Sequence, residues 1–307
     1  MYAAPDSSVP NVVVHLGSAA PWRGKPPAAD GAVYGPHRDD PDPTMVDVWW
    51  VHGRDGLVFR YDDGAEFHVS ADVREIWGTW PSPFTVEDAA VYLLGPVLSY
   101  VLRRRGVLVL HASGVVVNGH ALAFCGFGGA GKSTLAAAFA AAGYAVLSDD
   151  VVALREQNGH LFAFPASDHL RVWDDSARAL IGDHQRLPLL TPNWEKRAFP
   201  VEALGFLLAR NPTPLGGVFI IGDREETANA PRIELLRSAE ALIGLMPHTS
   251  ANYLLDENMR ATEFAQLTRL VESIPVYRVV PHTDPLRLSE LVKRAAALAN
   301  ITGTSSD

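Results

Sequence analysis

The chain has 307 residues, 26 Lys and Arg against 35 Asp and Glu, a formal charge of −9 and 48% apolar residues. That length can bury a substantial core, and the acidic balance argues against a general nucleic-acid binder, which needs a basic surface to displace counterions. A single cysteine, Cys125, excludes an intramolecular disulfide and a cysteine-based zinc site, and its position at the end of an apolar run reads as a small buried side chain.

The opening forty or so residues carry Pro21, Pro26, Pro27, Pro36, Pro41 and Pro43 and read as largely irregular, with Val12-Val13-Val14-His15-Leu16 as an edge strand. Met1 to Asp6 shows neither the basic start nor the apolar core of a signal peptide, and no apolar run is long enough to span a bilayer. A cytoplasmic protein without a membrane partner is expected. From Val46 the pattern becomes strand-like: Val46 to Val51, Gly56 to Tyr61 and Ala65 to Val69, joined by Gly53-Arg54-Asp55 and Asp62-Asp63-Gly64. These links are turn chemistry, so an antiparallel meander is expected. Trp49, Trp50, Trp77 and Trp80 are read as packing residues.

Thr85 is a helix N-cap with Glu87 and Asp88 in the first turn, and Arg103-Arg104-Arg105-Gly106 closes that helix, which Pro96 should bend or split. The arginine triplet thus has a structural explanation. Val107 to His111, Val115 to Val117 and His120 to Cys125 are strands, the last two joined by the hairpin signal Asn118-Gly119. The segment Gly126 to Ser133 then fits G-x-x-x-x-G-K-[ST], between an apolar strand and an alanine-rich helix. In that context the glycines let the backbone turn its N–H groups toward phosphate oxygens, and the helix N-terminus adds partial positive charge. Gly126, Gly128, Gly129, Ala130, Gly131, Lys132, Ser133 and Thr134 are the candidate nucleotide contacts, with Lys132 on the phosphates and the Ser133 hydroxyl on Mg2+.

Tyr144 to Leu147 is the following strand, expected parallel to the one before the loop, and it delivers Asp149 and Asp150 beside the loop. Successive strand residues face opposite ways, so which carboxylate is the metal ligand and which the general base stays open. Adjacent negative charges are expected to raise each other's pKa. His111 ends its strand at the same edge and joins the candidate catalytic set of Asp149, Asp150, His111 and Lys132, with Ser133, Asp149 and Asp150 as candidate metal ligands. Farther on, Leu161 to Phe164, Leu170 to Trp173, Gly205 to Ala209, Val218 to Ile221 and Pro275 to Val280 read as strands, and 238–246, 261–273 and 284–299 as helices. Arg171, Lys196 and Arg197 read first as surface charge, with stabilising transferred charge or gripping an acidic peptide as the alternative. The resulting division is an irregular, β-rich region 1–84, a catalytic region 85–300 and a tail 301–307.

His111-Ala112-Ser113-Gly114, the hairpin, Gly126 to Ser133 and Leu147-Ser148-Asp149-Asp150 together resemble the catalytic core of HPr kinase/phosphorylase and its relatives, over about residues 107–155. The resemblance implies an α/β fold with a PEP carboxykinase/HPr kinase-like P-loop core and a mixed sheet. It also implies an ATP- and Mg2+-dependent kinase that phosphorylates a serine on a peptide or protein, and association into a homo-oligomer. Gly128 stands where the bacterial carbon-control enzyme usually has serine, and the later glycine-arginine-asparagine signature is missing. In these respects the chain looks more like the relatives that modify ribosomally made precursors, including lasso peptides. A nucleotide-gated binding module and a small-molecule kinase are the alternative readings.

Overall fold

The computed structural model describes residues 11–22, 32–34, 46–51, 56–174, 177–178 and 187–302. Of the first forty or so residues expected to be irregular, 1–10, 23–31 and 35–45 lie outside the described residues, as do the turn Gly53-Arg54-Asp55 and, of the tail expected at 301–307, residues 303–307; residues 301 and 302 instead continue the last helix.

The N-terminal sheet has six strands: β1 (Val13–Leu16), β2 (Ala32–Tyr34), β3 (Val46–Val51), β4 (Gly56–Tyr61), β5 (Glu66–Ser70) and β6 (Glu75–Thr79), in the order β1-β6-β5-β4-β3-β2. β3 to β6 form the expected antiparallel meander with one more strand than the sequence suggested, and β1 is an edge strand, parallel to β6. Val48, Phe59, Phe67 and Val69 project from one side of it into a core shared with α1 (Val86–Tyr92) and α2 (Leu98–Arg104). Trp49 and Trp77 are buried, as packing residues should be.

Thr85 caps α1 in a capping box with Asp88, whose carboxylate also accepts from Asn193 Nδ2 at 2.8 Å. Between α1 and α2 the chain makes a wide turn over 93–97, where Gly95 is non-helical beside Pro96. The arginines that follow are tied down by tertiary contacts. Arg103 is buried, ion-paired with Glu263 and donating to Ser250 O at 2.7 Å; Arg104 lies over Trp50; Arg105 donates to Asn11 O and Val73 O.

The second sheet has nine strands and is mixed. β7 (Leu108–Leu110), β8 (Ala112–Val117), β9 (His120–Cys125), β10 (Ala145–Ser148), β11 (Val152–Gln157), β12 (His160–Phe164) and β16 (Thr213–Ile221) run in the order β10-β8-β9-β16-β12-β11-β7. β18 (Val276–Val280) joins β16, and β17 (Arg232–Leu235) joins β18. A smaller sheet, β13 (His169–Val172), β15 (Trp194–Pro200) and β14 (Leu189–Thr191), lies apart from it. Asn118 and Gly119 both have positive φ, the geometry of a two-residue hairpin, and join β8 to β9.

The helix α3 (Lys132–Ala141) connects β9 to β10, which run in the same direction as expected. They are not neighbours: β8 lies between them, antiparallel to both. The segment 205–209, expected as a strand, turns at Gly205 and contributes a single bridge, Leu208 to Val146. α3 and α6 (Leu288–Thr302) cover one face of the large sheet through Leu135, Phe139, Leu291 and Val292. α4 (Ser238–Leu245) and α5 (Glu257–Ser273) cover the other through Ala241, Leu245, Leu267 and Leu270. The molecule is thus a mixed α/β protein, and among the described residues no helix is long and apolar enough to cross a membrane.

Candidate functional site

Antiparallel pairing of β8 with both β9 and β10, and parallel pairing of β9, β16 and β18, bring five chain segments to one edge of the large sheet. In spatial order they are Asp149-Asp150 after β10, His111 before β8, the glycine-rich loop after β9, Arg224 beyond β16 and residues 281–287 beyond β18. The loop is tight. A Cβ on Gly126 would lie 2.8 Å from the Ala130 Cβ and 3.3 Å from Ile221 O, so only glycine fits there. Gly131 is the α3 N-cap with φ of 102°, in the left-handed region where glycine carries no steric penalty.

Lys132 is buried, and its Nζ donates to the carbonyls of Gly126 at 2.8 Å and Phe127 at 3.2 Å. Burial holds its amine below the ordinary lysine range, against the pull of Asp150 and Asp149. One residue on, the Ser133 hydroxyl donates to Asp149 Oδ1 at 2.9 Å. The same oxygen accepts from Ser113 Oγ at 2.5 Å, and Oδ2 accepts from the Arg171 backbone N–H at 2.7 Å.

Both aspartates reach the site because the strand has ended. β10 stops at Ser148, whose hydroxyl closes a turn onto Val151 O at 2.5 Å, and Asp150 takes φ of +69°. The alternation that would have pointed them apart therefore does not apply. Asp150 Oδ2 accepts from Arg171 Nη1 at 2.8 Å, and its Oδ1 lies 3.4 Å from His111 Nδ1, which also contacts Asp150 O at 3.0 Å. A Cβ on Gly95 would sit 3.5 Å from Asp150 Oδ2, so the turn between α1 and α2 walls this side.

The expected mutual raising of the carboxylate pKa values is corrected for Asp150. Burial does push its pKa up, but Arg171, followed by His111, Lys196 and Lys132, outweighs that and holds the carboxyl below its ordinary value. Arg171 is likewise no surface charge: its side chain is 17% exposed and serves both aspartates, one through its backbone and one through its guanidinium. Lys196 stacks over Trp173, and Arg197 binds Asp174 and Leu187 O. Cys125 is buried, and burial pushes its thiol up to about 12, as suits a packing residue.

The sequence reading passed over two further residues. Ser113 shares the Asp149 oxygen with Ser133, and His248, between α4 and α5, is 4% exposed, packs edge-on against Phe127 at 4.8 Å and accepts the His111 N–H through its backbone. Burial, then Lys132 and His111, lowers the His248 pKa to about 4, so the ring is neutral near pH 7. His111 is also lowered, by burial first, although Asp150 pulls the other way. Ser113 lay within a segment the sequence had flagged, whereas no spacing marks His248.

A hydroxyl and a carboxylate 2.9 Å apart form a donor set for a hard, oxygen-seeking dication. Among the described residues no cluster of three or more His, Cys, Asp or Glu could cage a metal unaided. Mg2+ needs no such cage, since it is usually held by one or two protein groups together with waters and substrate phosphates.

No family model and no curated protein matches the chain. Among solved structures it is similar to the Hpr(Ser) kinase/phosphatase from Coxiella burnetii, at 14% identity and a TM-score of 0.35, over 63% of this chain and 88% of that one. The likeness is a distant one.

Proposed function

We propose that the protein is an ATP- and Mg2+-dependent kinase that transfers the γ-phosphoryl group to a serine hydroxyl on a peptide or protein, with a ribosomally made precursor peptide as the first acceptor class to try. One observation carries the reading: the loop ending in Gly131-Lys132-Ser133 meets the Asp149 carboxylate through Ser133 Oγ at 2.9 Å, with Asp150 and His111 alongside. The sequence motifs that resemble HPr kinase/phosphorylase point the same way.

On this reading the loop N–H groups, Lys132 and the α3 N-terminus hold the phosphates. Ser133 and Asp149 would hold Mg2+, which when bound offsets charge on the phosphate oxygens. Asp150 orients the incoming hydroxyl and takes its proton as the serine oxygen bonds to the γ-phosphorus; the bond from that phosphorus to the bridging oxygen breaks and ADP leaves. A carboxylate held below its ordinary pKa is ionised at pH 7 but a weak base, so Asp150 acts chiefly by orientation until the hydroxyl proton is acidified by bond formation. Arg171 and His111 position that carboxylate. The His111 and Asp150 side chains are 38% and 27% exposed, an open flank that suits a serine presented on a peptide.

The test incubates the protein with ATP, Mg2+ and serine peptides and follows the mass gain of a phosphate on the peptide. Asp149→Asn and Asp150→Asn should each lower turnover by about a thousandfold, or about 4 kcal/mol of barrier. ATP hydrolysis with no phosphopeptide would instead favour a nucleotide-gated module, and unchanged transfer in both variants would reject the assignment.

A further inference from the structure

The open flank of the carboxylate site is edged by large apolar side chains that neither packing nor phosphate chemistry explains. Phe127 follows Gly126 in the glycine-rich loop, where its carbonyl accepts from Lys132 Nζ. Holding a phosphate uses backbone N–H groups and calls for no bulky side chain there. The ring leaves the loop to lie edge-on against His248 at 4.8 Å and stays 67% exposed. His248 accepts the His111 N–H through its backbone, and His111 contacts Asp150, so the ring stands on the Asp150 side of the loop. Met246, exposed two residues before His248, extends this edge.

Trp173 lies on the other edge. Arg171, which binds Asp150, precedes it by two residues, and Val172 between them is buried in the core, so Arg171 and Trp173 share the open face. The register Arg171 to Ala198 and Val172 to Arg197 continues so that Lys196 comes level with Trp173, and its ammonium lies over the indole at 5.1 Å. Lys196 is also among the cations that hold the Asp150 carboxyl low. The indole remains 47% exposed. Leu94, exposed as well, comes from the wide turn whose Gly95 walls Asp150. Isolated apolar side chains on a surface are ordinary, but these gather around one carboxylate from parts of the chain far apart in sequence.

We propose that this rim reads the acceptor: the serine it favours sits between bulky apolar residues and has no Lys or Arg beside it. The proposal rests on the kinase reading and deepens it by naming the chemistry next to the acceptor hydroxyl. The occupant is the acceptor peptide because the rim is continuous with the carboxylate that takes the hydroxyl proton. A serine seated at Asp150 carries its neighbours only about 3.3–3.8 Å farther along an extended chain, so their side chains meet the rim. The charges agree. Arg171, Lys196 and Lys132 make the flank positive and repel a basic neighbour, while Arg171 is already engaged by the two aspartates, so apolar contact and not ion pairing is what the rim offers.

The experiment supplies the full chain with ATP, Mg2+ and four synthetic peptides, identical except that the residues on either side of their single serine are Leu, Gly, Asp or Lys, and follows phosphopeptide by mass. Leu flanks should raise kcat/KM roughly tenfold over Gly flanks through a lower peptide KM, and Lys flanks should fall below both. Phe127→Ser and Trp173→Ser should each narrow the Leu-to-Gly ratio by about threefold or more. Both side chains are exposed, so the fold does not depend on them, and a ratio taken within one variant cancels any general loss of turnover. Equal kcat/KM for Leu and Gly flanks, Asp flanks that match Leu flanks, or an unchanged ratio in both variants would overturn the proposal and leave the kinase reading standing. Self-association of the native chain that Trp173→Ser abolishes, with no flank preference, would assign the rim to a second copy and overturn it equally. No phosphate on any of the four peptides would reject peptide phosphorylation itself, and this inference with it.

Discussion

His248 offers a direct measurement of how dry and how positive the loop flank is. The ring lies against Phe127, within reach of the positive charge of Lys132 and beside His111, and its pKa falls from an ordinary 6.5 to about 4. As pH drops below 6.5 the unfolded chain binds a proton at this position and the folded chain does not, so stability is complete above that pH and is lost on the way down to 4. At about 1.4 kcal/mol per pKa unit, the full window is worth about 3 kcal/mol. The perturbation is His248→Gln, which stays uncharged. Urea unfolding of both proteins at pH 7.5 and pH 4.5 should show the native protein losing about 2–3 kcal/mol more than the variant over that interval. His111, lowered in the same direction, is present in both and drops out of the comparison to first order. Identical pH dependence of the two proteins, or an NMR titration placing His248 near 6.5, would refute the reasoning.

Arg171 should govern the acid limb of the rate. Removing its guanidinium in Arg171→Ala takes away the chief charge opposing the effect of burial on Asp150, so the Asp150 pKa rises and the acid limb of kcat/KM moves to higher pH, with Arg171→Lys restoring part of the shift. An unmoved limb would detach Arg171 from the chemistry. Away from the site, Arg103→Ala should cost about 3–5 kcal/mol in urea unfolding because it strands the buried Glu263 carboxylate, and the double change with Glu263→Met should recover most of that loss. Equal stability of the single and double variants would show that the charge was not stranded.

How much of this was legible in the sequence depended on how far along the chain each contact is made. The loop, its flanking strand and helix, the Asn118-Gly119 hairpin and the Thr85 cap are local, and residue type with spacing specifies each. Arg171 became a site residue only because β13 lies where its backbone N–H reaches Asp149, and that placement is set by pairing with β15, whose charge-rich sequence gave no strand signal. β11 was also unread, because an alternating run that begins directly after two aspartates is masked by them. His248 arrives from between α4 and α5, where its backbone is placed by the His111 N–H. The strand expected at 205–209 shows the converse error: its apolar residues are real, but Gly205 at φ of +80° turns the chain and Leu207 is left 59% exposed.

The Asp149-Asp150 turn shows what the site costs the fold. Asp150 holds φ of +69°, a conformation that costs a residue with a Cβ roughly 1–2 kcal/mol and that Asp tolerates better than most. Such strain persists where surrounding contacts over-determine it, and here they do: Ser148 Oγ closes the turn on Val151 O, Arg171 grips the Asp150 carboxylate, and His111 contacts its backbone carbonyl. Two variants separate backbone strain from carboxylate chemistry. Asp150→Ala and Asp150→Gly both lack the acid and its ion pair, so both should lose transfer equally, but glycine meets no penalty at this φ and alanine does. Asp150→Gly should therefore unfold at higher urea, by about 1 kcal/mol, even after the larger backbone entropy of its unfolded chain is set against it. An alanine variant as stable as the glycine variant would mean that the turn opens once the carboxylate is gone, and that the ion pair with Arg171, not the backbone around Ser148, fixes where Asp150 points.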